Sequence, residues 1–294
     1  MKTRKDIEQE ITDLVIKQLR EGRVPWKRPW SAKGFMPTSL TTGKTYSGIN
    51  LLLLSILGSD HTTPYWVTYR EAQKRGGYIR QGEKGVPIIK WSPYTRKDPL
   101  TGEETQSFFM RQFTVFNLDQ TANVSAPAMP KIDFSSIDEG VQSIIDSYAT
   151  RPEIYHSVQD RAYYSPISDS IHLPKREMFN SAEEYALTLA HELIHSTGHE
   201  SRLDRFESDS TTFGCQTYAK EELVADIGAT MMLAQVGIQV ELDNTASYIT
   251  NWLNALENDS SLIVSASAKA QKAVDYILGA KQPIVDVNPA EVEA

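Results

Sequence analysis

The sequence predicts an α+β protein of two domains, a small basic α+β domain followed by a larger acidic one built around a central helix. Three observations carry this. First, charge divides the chain. Residues 1–125 hold 19 Lys and Arg against 12 Asp and Glu, a net of +7, whereas residues 126–294 hold 11 against 26, a net of −15. Such asymmetry between halves points to different partners, and a polyanion suits the basic one. Second, both halves mix amphipathic helical periodicity with short alternating stretches. Third, the segment QTANVSAPAMPKID carries two prolines, small residues and few large apolar ones, the composition of an interdomain linker. The expected division is a basic domain over residues 1–122, a linker over 123–133, a second domain over 134–280 and a flexible tail over 281–294.

Composition excludes several classes. The longest apolar run, Leu51-Leu52-Leu53-Leu54, is far too short to cross a bilayer, so no membrane partner is expected. The charged opening Met1-Lys2-Thr3-Arg4-Lys5-Asp6 lacks the apolar stretch of a secretory signal. The single cysteine, Cys215, cannot form an internal disulfide and fits a reducing compartment. The chain reads as cytoplasmic.

In the basic half, residues 6–21 predict a helix whose buried stripe is Ile7, Ile11, Leu14, Val15, Ile16 and Leu19, with Gly22 as its stop. The following Val24-Pro25-Trp26-Lys27-Arg28-Pro29-Trp30 cannot continue it, because proline lacks the amide proton and clashes with the preceding turn. Exposed, this segment would set stacking rings beside phosphate-neutralising charge; buried, its tryptophans would plug the core under the helix. Thr41-Thr42-Gly43-Lys44-Thr45-Tyr46 is turn-rich but lacks the nucleotide-binding pattern G-x-x-x-x-G-K-[ST]. Residues 65–69 predict an aromatic strand or a helix entrance, residues 78–91 two short strands about a glycine turn, and residues 113–118 a strand closing a small sheet. Residues 97–106 read as a polar, mobile hairpin tip. Four of the five tryptophans fall in this half. Without a base-reading helix or zinc-finger spacing, recognition of single-stranded nucleic acid by stacking and backbone contacts fits best. The residues expected to touch DNA are Trp26, Lys27, Arg28, Trp30, Lys44, Tyr46, Trp66, Arg80 and Lys84.

In the acidic half, residues 137–148 predict a short amphipathic helix, and residues 153–156, 161–164 and 170–173 three strands of a small antiparallel sheet. His156 and His172 lie in these strands and read as packed or solvated. Ser181-Ala182-Glu183-Glu184 predicts a capping box opening a buried helix that stops near Gly198. That helix carries His191-Glu192-Leu193-Ile194-His195, the zincin signature H-E-x-x-H. Positions i and i+4 stack on one helix face, so both imidazoles can reach one cation. Glu192, about 100° round the helix, is placed to hold a reacting water without ligating. His199 misses the metzincin position for a third ligand, where Ser201 stands. Glu222 is the better third ligand, because Asp226 follows one turn on and can hold a histidine through its other nitrogen. Glu221, whose i+4 neighbour is Ala225, is the alternative. Tyr218, one turn before Glu222, is a candidate to stabilise an oxyanion. Residues 245–256 and 260–278 predict two further amphipathic helices.

Several stretches resemble the ArdC-type antirestriction family. In the basic half these are Trp66-Val67-Thr68 through Gly76-Gly77, Gly82-Glu83-Lys84-Gly85, and Val115-Phe116-Asn117-Leu118-Asp119-Gln120. In the acidic half they are His195-x-x-Gly198-His199-x-x-Arg202-Leu203-Asp204 and Tyr218-Ala219-x-Glu221-Glu222-Leu223-Val224-Ala225-Asp226. Many relatives have Glu where Asp226 stands. The resemblance implies a single-stranded-DNA-binding domain, shared with TraC-type plasmid primases and carried on conjugative plasmids, that protects incoming DNA from restriction. It also implies a zincin-like, gluzincin-type metallopeptidase domain. The expected chemistry is hydrolysis of a peptide bond in an unidentified protein substrate. Zn2+ is the expected metal, with Mn2+ or another divalent ion as alternatives, and Glu192 the general base. A protease that uses DNA only for localisation is the competing reading. So is a DNA-shielding protein whose metal site is structural.

Overall fold

The computed structural model describes residues 2–24, 36–58, 60–97, 104–127, 136–206, 216–238 and 246–279. Helix α1 (Arg4–Arg20) is opened by a complete capping box: Thr3 accepts from the Asp6 amide, and the Asp6 carboxylate accepts from the Thr3 amide. It buries Ile7, Ile11, Val15 and Leu19 and ends before Gly22, whose φ of 75° is open to glycine. Strand β1 (Thr38–Ser39) precedes α2 (Gly48–Leu57), which is apolar almost all round. Then come β2 (Tyr65–Thr68), α3 (Tyr69–Lys74), β3 (Tyr78–Ile79), β4 (Val86–Lys97), β5 (Glu104–Asn117), a 3-10 turn and β6 (Thr121–Ala122). The sheet order is β1-β2-β5-β4, antiparallel except for β1 on β2, and β3 pairs with β6 apart from it.

Here the structure departs from the expected polar tip. The β4–β5 ladder continues to Lys97 opposite Glu104, so Lys97 and residues 104–106 are strand. The outer ladder faces solvent widely, so its side chains lack the alternation that marks a half-buried strand.

The second half begins with α4 (Ile137–Ser147), then β7 (Glu153–Ser157), β8 (Tyr163–Ser165) and β9 (Ser170–Pro174). The sheet is mixed, not antiparallel as expected. Strand β9 is central, antiparallel to β8 through a tight turn at Asp169 and parallel to β7. Strands this short carry a burial pattern but no mark of their direction. Helices α5 (Ala182–Ser196), α6 (Gln216–Gln235), α7 (Ala246–Asn258) and α8 (Leu262–Leu278) complete the fold. Helix α5 lies between the small sheet and α6, which explains why Leu193 and Ile194 are both fully buried.

One hydrophobic cluster runs from Ile7 on α1 through Leu52 on α2 and Leu193 on α5 to Ile277 on α8. Helix α1 packs on α7 and α8, and α2 on α8. Polar contacts pin the join: Thr12 donates to the Ser260 carbonyl at 2.7 Å, Arg20 meets Glu257 at 2.7 Å, and Gly48 N–H donates to Gln271 at 3.0 Å. Among the described residues, no helix is long and apolar enough to cross a membrane.

Candidate metal centre

Helix α5 is opened by Ser181, which accepts from the Glu184 amide at 3.1 Å. The expected box is only half made. The Glu184 carboxylate accepts from the Asn180 amide and side chain, at 2.9 and 2.8 Å, instead of from Ser181. Three turns on, His191 and His195 share the face that meets α6, with ring centroids 4.6 Å apart and Nε2 atoms 3.0 Å apart. From α6, Glu222 brings its two oxygens to 3.5 Å from His191 Nε2 and 3.4 Å from His195 Nε2. One ligand atom from each of His191, His195 and Glu222 lies within 4.8 Å of the others. Among the described residues no other acid, histidine or cysteine group converges in this way.

Behind the rings stand two more carboxylates. Asp226 meets His191 Nδ1 at 3.0 Å, and Glu221 meets His195 Nδ1 at 3.5 Å. Adjacent helix residues diverge by about 100°, so Glu222 reaches the inner nitrogens while Glu221 reaches the outer one. Glu221 is gripped in turn by Arg205, whose Nη2 and Nε lie 2.6 and 3.0 Å from it. Arg205 also donates to Thr197 Oγ1 at 2.7 Å and to the Ile194 carbonyl at 2.9 Å.

Arg205 reaches this position because the chain doubles back after α5. The Arg205 amide donates to the Gly198 carbonyl at 2.9 Å, and Asp204 takes a φ of 45°. A Cβ on Gly198 would stand 2.6 Å from the Phe206 ring, so only glycine allows this close return. Arg202, its side chain nearly fully buried, ties the same turn to α5 through the Ser196 carbonyl and to the sheet through Tyr164 and Asp169.

The electrostatics suit a cation. Burial works to lower the His191 pKa, but hydrogen bonds to Asp226 and Glu222 outweigh it and hold it well above 6.5. Burial likewise opposes charging of His195, yet Glu221 and Glu222 raise it to about 9. For Glu222, burial favours the neutral acid, but both histidines hold it far below the usual carboxylate range. Glu192, 6% exposed, adds its charge to both rings. Two convergent imidazole nitrogens, one carboxylate and a surplus of negative charge make a donor set that fits a divalent ion. The outward nitrogens are already held by carboxylates.

The other sequence-predicted residues are dispersed. His156 bonds Tyr185 at 3.1 Å, and His172 is stacked between Tyr155 and Tyr163. His199 meets Ser201 at 2.8 Å. The Tyr218 side chain, and Trp26, Lys27, Arg28 and Trp30, lie outside the described residues. Trp66 and Tyr46 are core residues, 2% and 6% exposed, so the rings expected to stack on bases are packed within the fold. Burial also pushes the Tyr46 phenol up to about 12. Arg80 is engaged with Glu83 at 2.9 Å and with the Asp119 carbonyl. Lys44 and Lys84 are exposed. Sequence reasoning missed Arg205 altogether. Its link to Glu221 is tertiary, and no spacing rule marks it.

Residues 5–116 match the family model of the N-terminal domain of anti-restriction factor ArdC, and residues 141–269 match that of a zincin-like metallopeptidase. The fold is similar to the metal-free crystal structure of the antirestriction ArdC protein from the R388 plasmid. That likeness has a TM-score of 0.77 and 37% identity over 92% of this chain and 96% of that one. The Mn(II)-bound structure of the same protein gives 0.77 and 35% over 93% and 97%. The chain belongs to the ArdC antirestriction family. Among this family's curated relatives is a DNA primase TraC of Escherichia coli, 36% identical over 95% of this chain but only 28% of the primase. An uncharacterized Sinorhizobium fredii protein, y4eC, is 31% identical over 92% of this chain and 91% of its own length. The chain therefore spans little more than a quarter of the TraC primase and nearly all of y4eC. The chain joins an ArdC N-terminal domain to a zincin-like domain, and such a domain implies a divalent metal.

Proposed function

We propose that this chain is a cytoplasmic antirestriction protein that binds single-stranded DNA, protects incoming plasmid DNA from restriction, and carries a metal-dependent peptidase-type site. The observation that supports this most is the joining of two things in one chain: an ArdC N-terminal domain, and the convergence of His191, His195 and Glu222 beside Glu192. Zn2+ is the proposed metal, held by His191, His195 and Glu222, with Mn2+ as the alternative. When bound there, such an ion supplies Lewis-acid polarisation of a carbonyl and acidifies water. The chain's own groups do the rest. Glu192 takes a proton from the attacking water and returns it to the leaving amine. Asp226 and Glu221 keep the imidazoles turned so that both Nε2 atoms face inward. Tyr218 is kept as the proposed oxyanion donor.

The second reading, a protease with an unidentified protein target that uses DNA for localisation, is favoured by the completeness of the site and is separated by one substitution. Glu192→Gln should leave metal content and oligonucleotide binding unchanged while reducing peptide hydrolysis by about 10²–10⁴-fold. If antirestriction in cells survives that substitution, protection rests on DNA binding. If it is abolished, proteolysis is part of protection.

A further inference from the structure

Among the described candidates Trp66 and Tyr46 are buried and Arg80 is engaged, so the exposed rings of the basic half lie elsewhere. The β4–β5 hairpin supplies one. Directly opposed residues of an antiparallel pair share a face. One face carries Ile88 opposite Phe113, Lys90 opposite Arg111, Ser92 opposite Phe109 and Tyr94 opposite Ser107. The other face carries Trp91 opposite Met110, and α1 partly covers it: Arg4 lies 5.1 Å over the Trp91 ring, and Gln112 bonds Lys2 at 3.2 Å. The first face stays open where it matters, with Tyr94 43% exposed and Phe109, Lys90 and Arg111 reaching solvent.

On this open face the Arg111 guanidinium sits 4.6 Å over the Phe109 ring, and Tyr94 lies 5.8 Å from the same ring. Among the described residues, Arg111 Nε is buried and finds no hydrogen-bond partner. Orphaned buried donors of this kind are rare, and an arriving phosphate oxygen is one acceptor that would satisfy this one. The face runs on into a cleft floored by Trp66, Ile88, Phe113 and Val115, with exposed Arg70 and Lys74 at its rim. The acid beside them, Glu71, is paired with Arg75 at 3.0 Å. Along this surface Arg70 and Lys74 at the cleft are followed by Lys90 and Arg111 and then by Phe109 and Tyr94.

We propose that this face of the β4–β5 hairpin is the bed for single-stranded DNA, with phosphates passing Arg70, Lys74, Lys90 and Arg111 and bases stacking on Tyr94 and Phe109. The proposal rests on the reading that this half binds single strands, and places the strand on it. Stacking recognises every base and phosphate contact is sequence-independent, so binding is indifferent to sequence and salt-sensitive.

The test uses the full chain and a fluorescein-labelled oligothymidylate, titrated at several salt concentrations. Tyr94→Ala with Phe109→Ala should weaken binding by about 10-fold or more. Arg70→Gln with Lys74→Gln lies at the cleft rim, away from the hairpin's packing, and carries the test if the ring variant does not fold. It should lower the steepness of log affinity against log salt by about 1.4, at roughly 0.7 for each phosphate no longer neutralised. If the wild type binds and folded variants keep its affinity and salt dependence, the strand lies elsewhere and this proposal fails, while the DNA-binding reading stands. If the wild type does not bind at low salt, that reading fails with it. Tighter binding of a matched duplex than of the single strand would also overturn the placement.

Discussion

At the scale of single residues, the outward nitrogens of the histidine pair are held by Asp226 and Glu221. Carboxylates behind ligating imidazoles fix ring orientation and raise basicity, and losing one typically costs 10–100-fold in metal affinity. Glu221→Gln and Asp226→Asn should each weaken Mn2+ or Zn2+ binding by about that factor in a calorimetric titration, with little change in far-UV signal. Equal affinity in both variants would make these carboxylates spectators. Removing Arg205 is harsher, because its side chain is 6% exposed and would leave Glu221 buried without its partner. Arg205→Ala should lower stability by about 3–5 kcal/mol. A second expectation concerns acid. The hydrogen bond from Arg202, ahead of opposing burial, holds the Asp169 carboxyl below its ordinary 3.8. A carboxyl depressed in the folded state stabilises it above the unfolded pKa, and this stabilisation disappears as pH falls through the folded value. Asp169→Asn should therefore be less stable than wild type at pH 7 in urea melts, with the gap closing below about pH 4. A gap that persists unchanged at pH 3 would assign the effect to packing instead. The His191–His195 pair was legible because helix geometry alone puts i and i+4 together, and Glu222 because Asp226 follows it one turn on. Arg205 was not, because it reaches Glu221 only after a turn that doubles back on α5.

At the scale of elements, His191, His195 and Glu222 converge because α5 and α6 approach closely. Gly228 on α6 faces Ile194 on α5, and a Cβ there would stand 3.0 Å from three Ile194 side-chain carbons. Gly228→Ala gains about 1 kcal/mol of helix propensity but overpacks this contact by about 1–3 kcal/mol. The expected outcome is a lower melting temperature and weaker metal binding, since moving α6 carries Glu222 away from the histidines. Ile194→Val in the same chain should restore part of both. If the alanine variant melts higher than wild type, the crossing has slack. Helices α5 and α6 could be read from the sequence, one by its capping serine and the other by its acids in phase. Their close contact could not, because a glycine in mid-helix reads only as a weak point. Strand directions in the small sheet were illegible because the strands are short, and the outer β4–β5 ladder because both its faces are open to water.

At the scale of the whole molecule, charge and packing divide the chain differently. The contrast of +7 and −15 is a property of surfaces, whereas the core runs unbroken from α1 and α2 into α8. Surface charge shows in composition; helix-to-helix docking between distant segments does not. The shared core predicts that metal bound in the second half stabilises the first. Trp252→Phe leaves every remaining tryptophan before residue 92, so their fluorescence reports the basic half alone. A divalent ion at about 100 times its dissociation constant stabilises the state that binds it by about 2.7 kcal/mol. In that background, urea unfolding followed by fluorescence and by far-UV signal should coincide, and both should move together when Mn2+ is added. Gln271→Leu should loosen this coupling, because it leaves the Gly48 amide without the acceptor it now has at 3.0 Å. Orphaning a buried donor costs about 1–3 kcal/mol, and here the penalty falls on the joint between α2 and α8. Two separate transitions in the Trp252→Phe chain, with only the far-UV one responding to metal, would mean that the halves fold independently and that their common core is a docked interface.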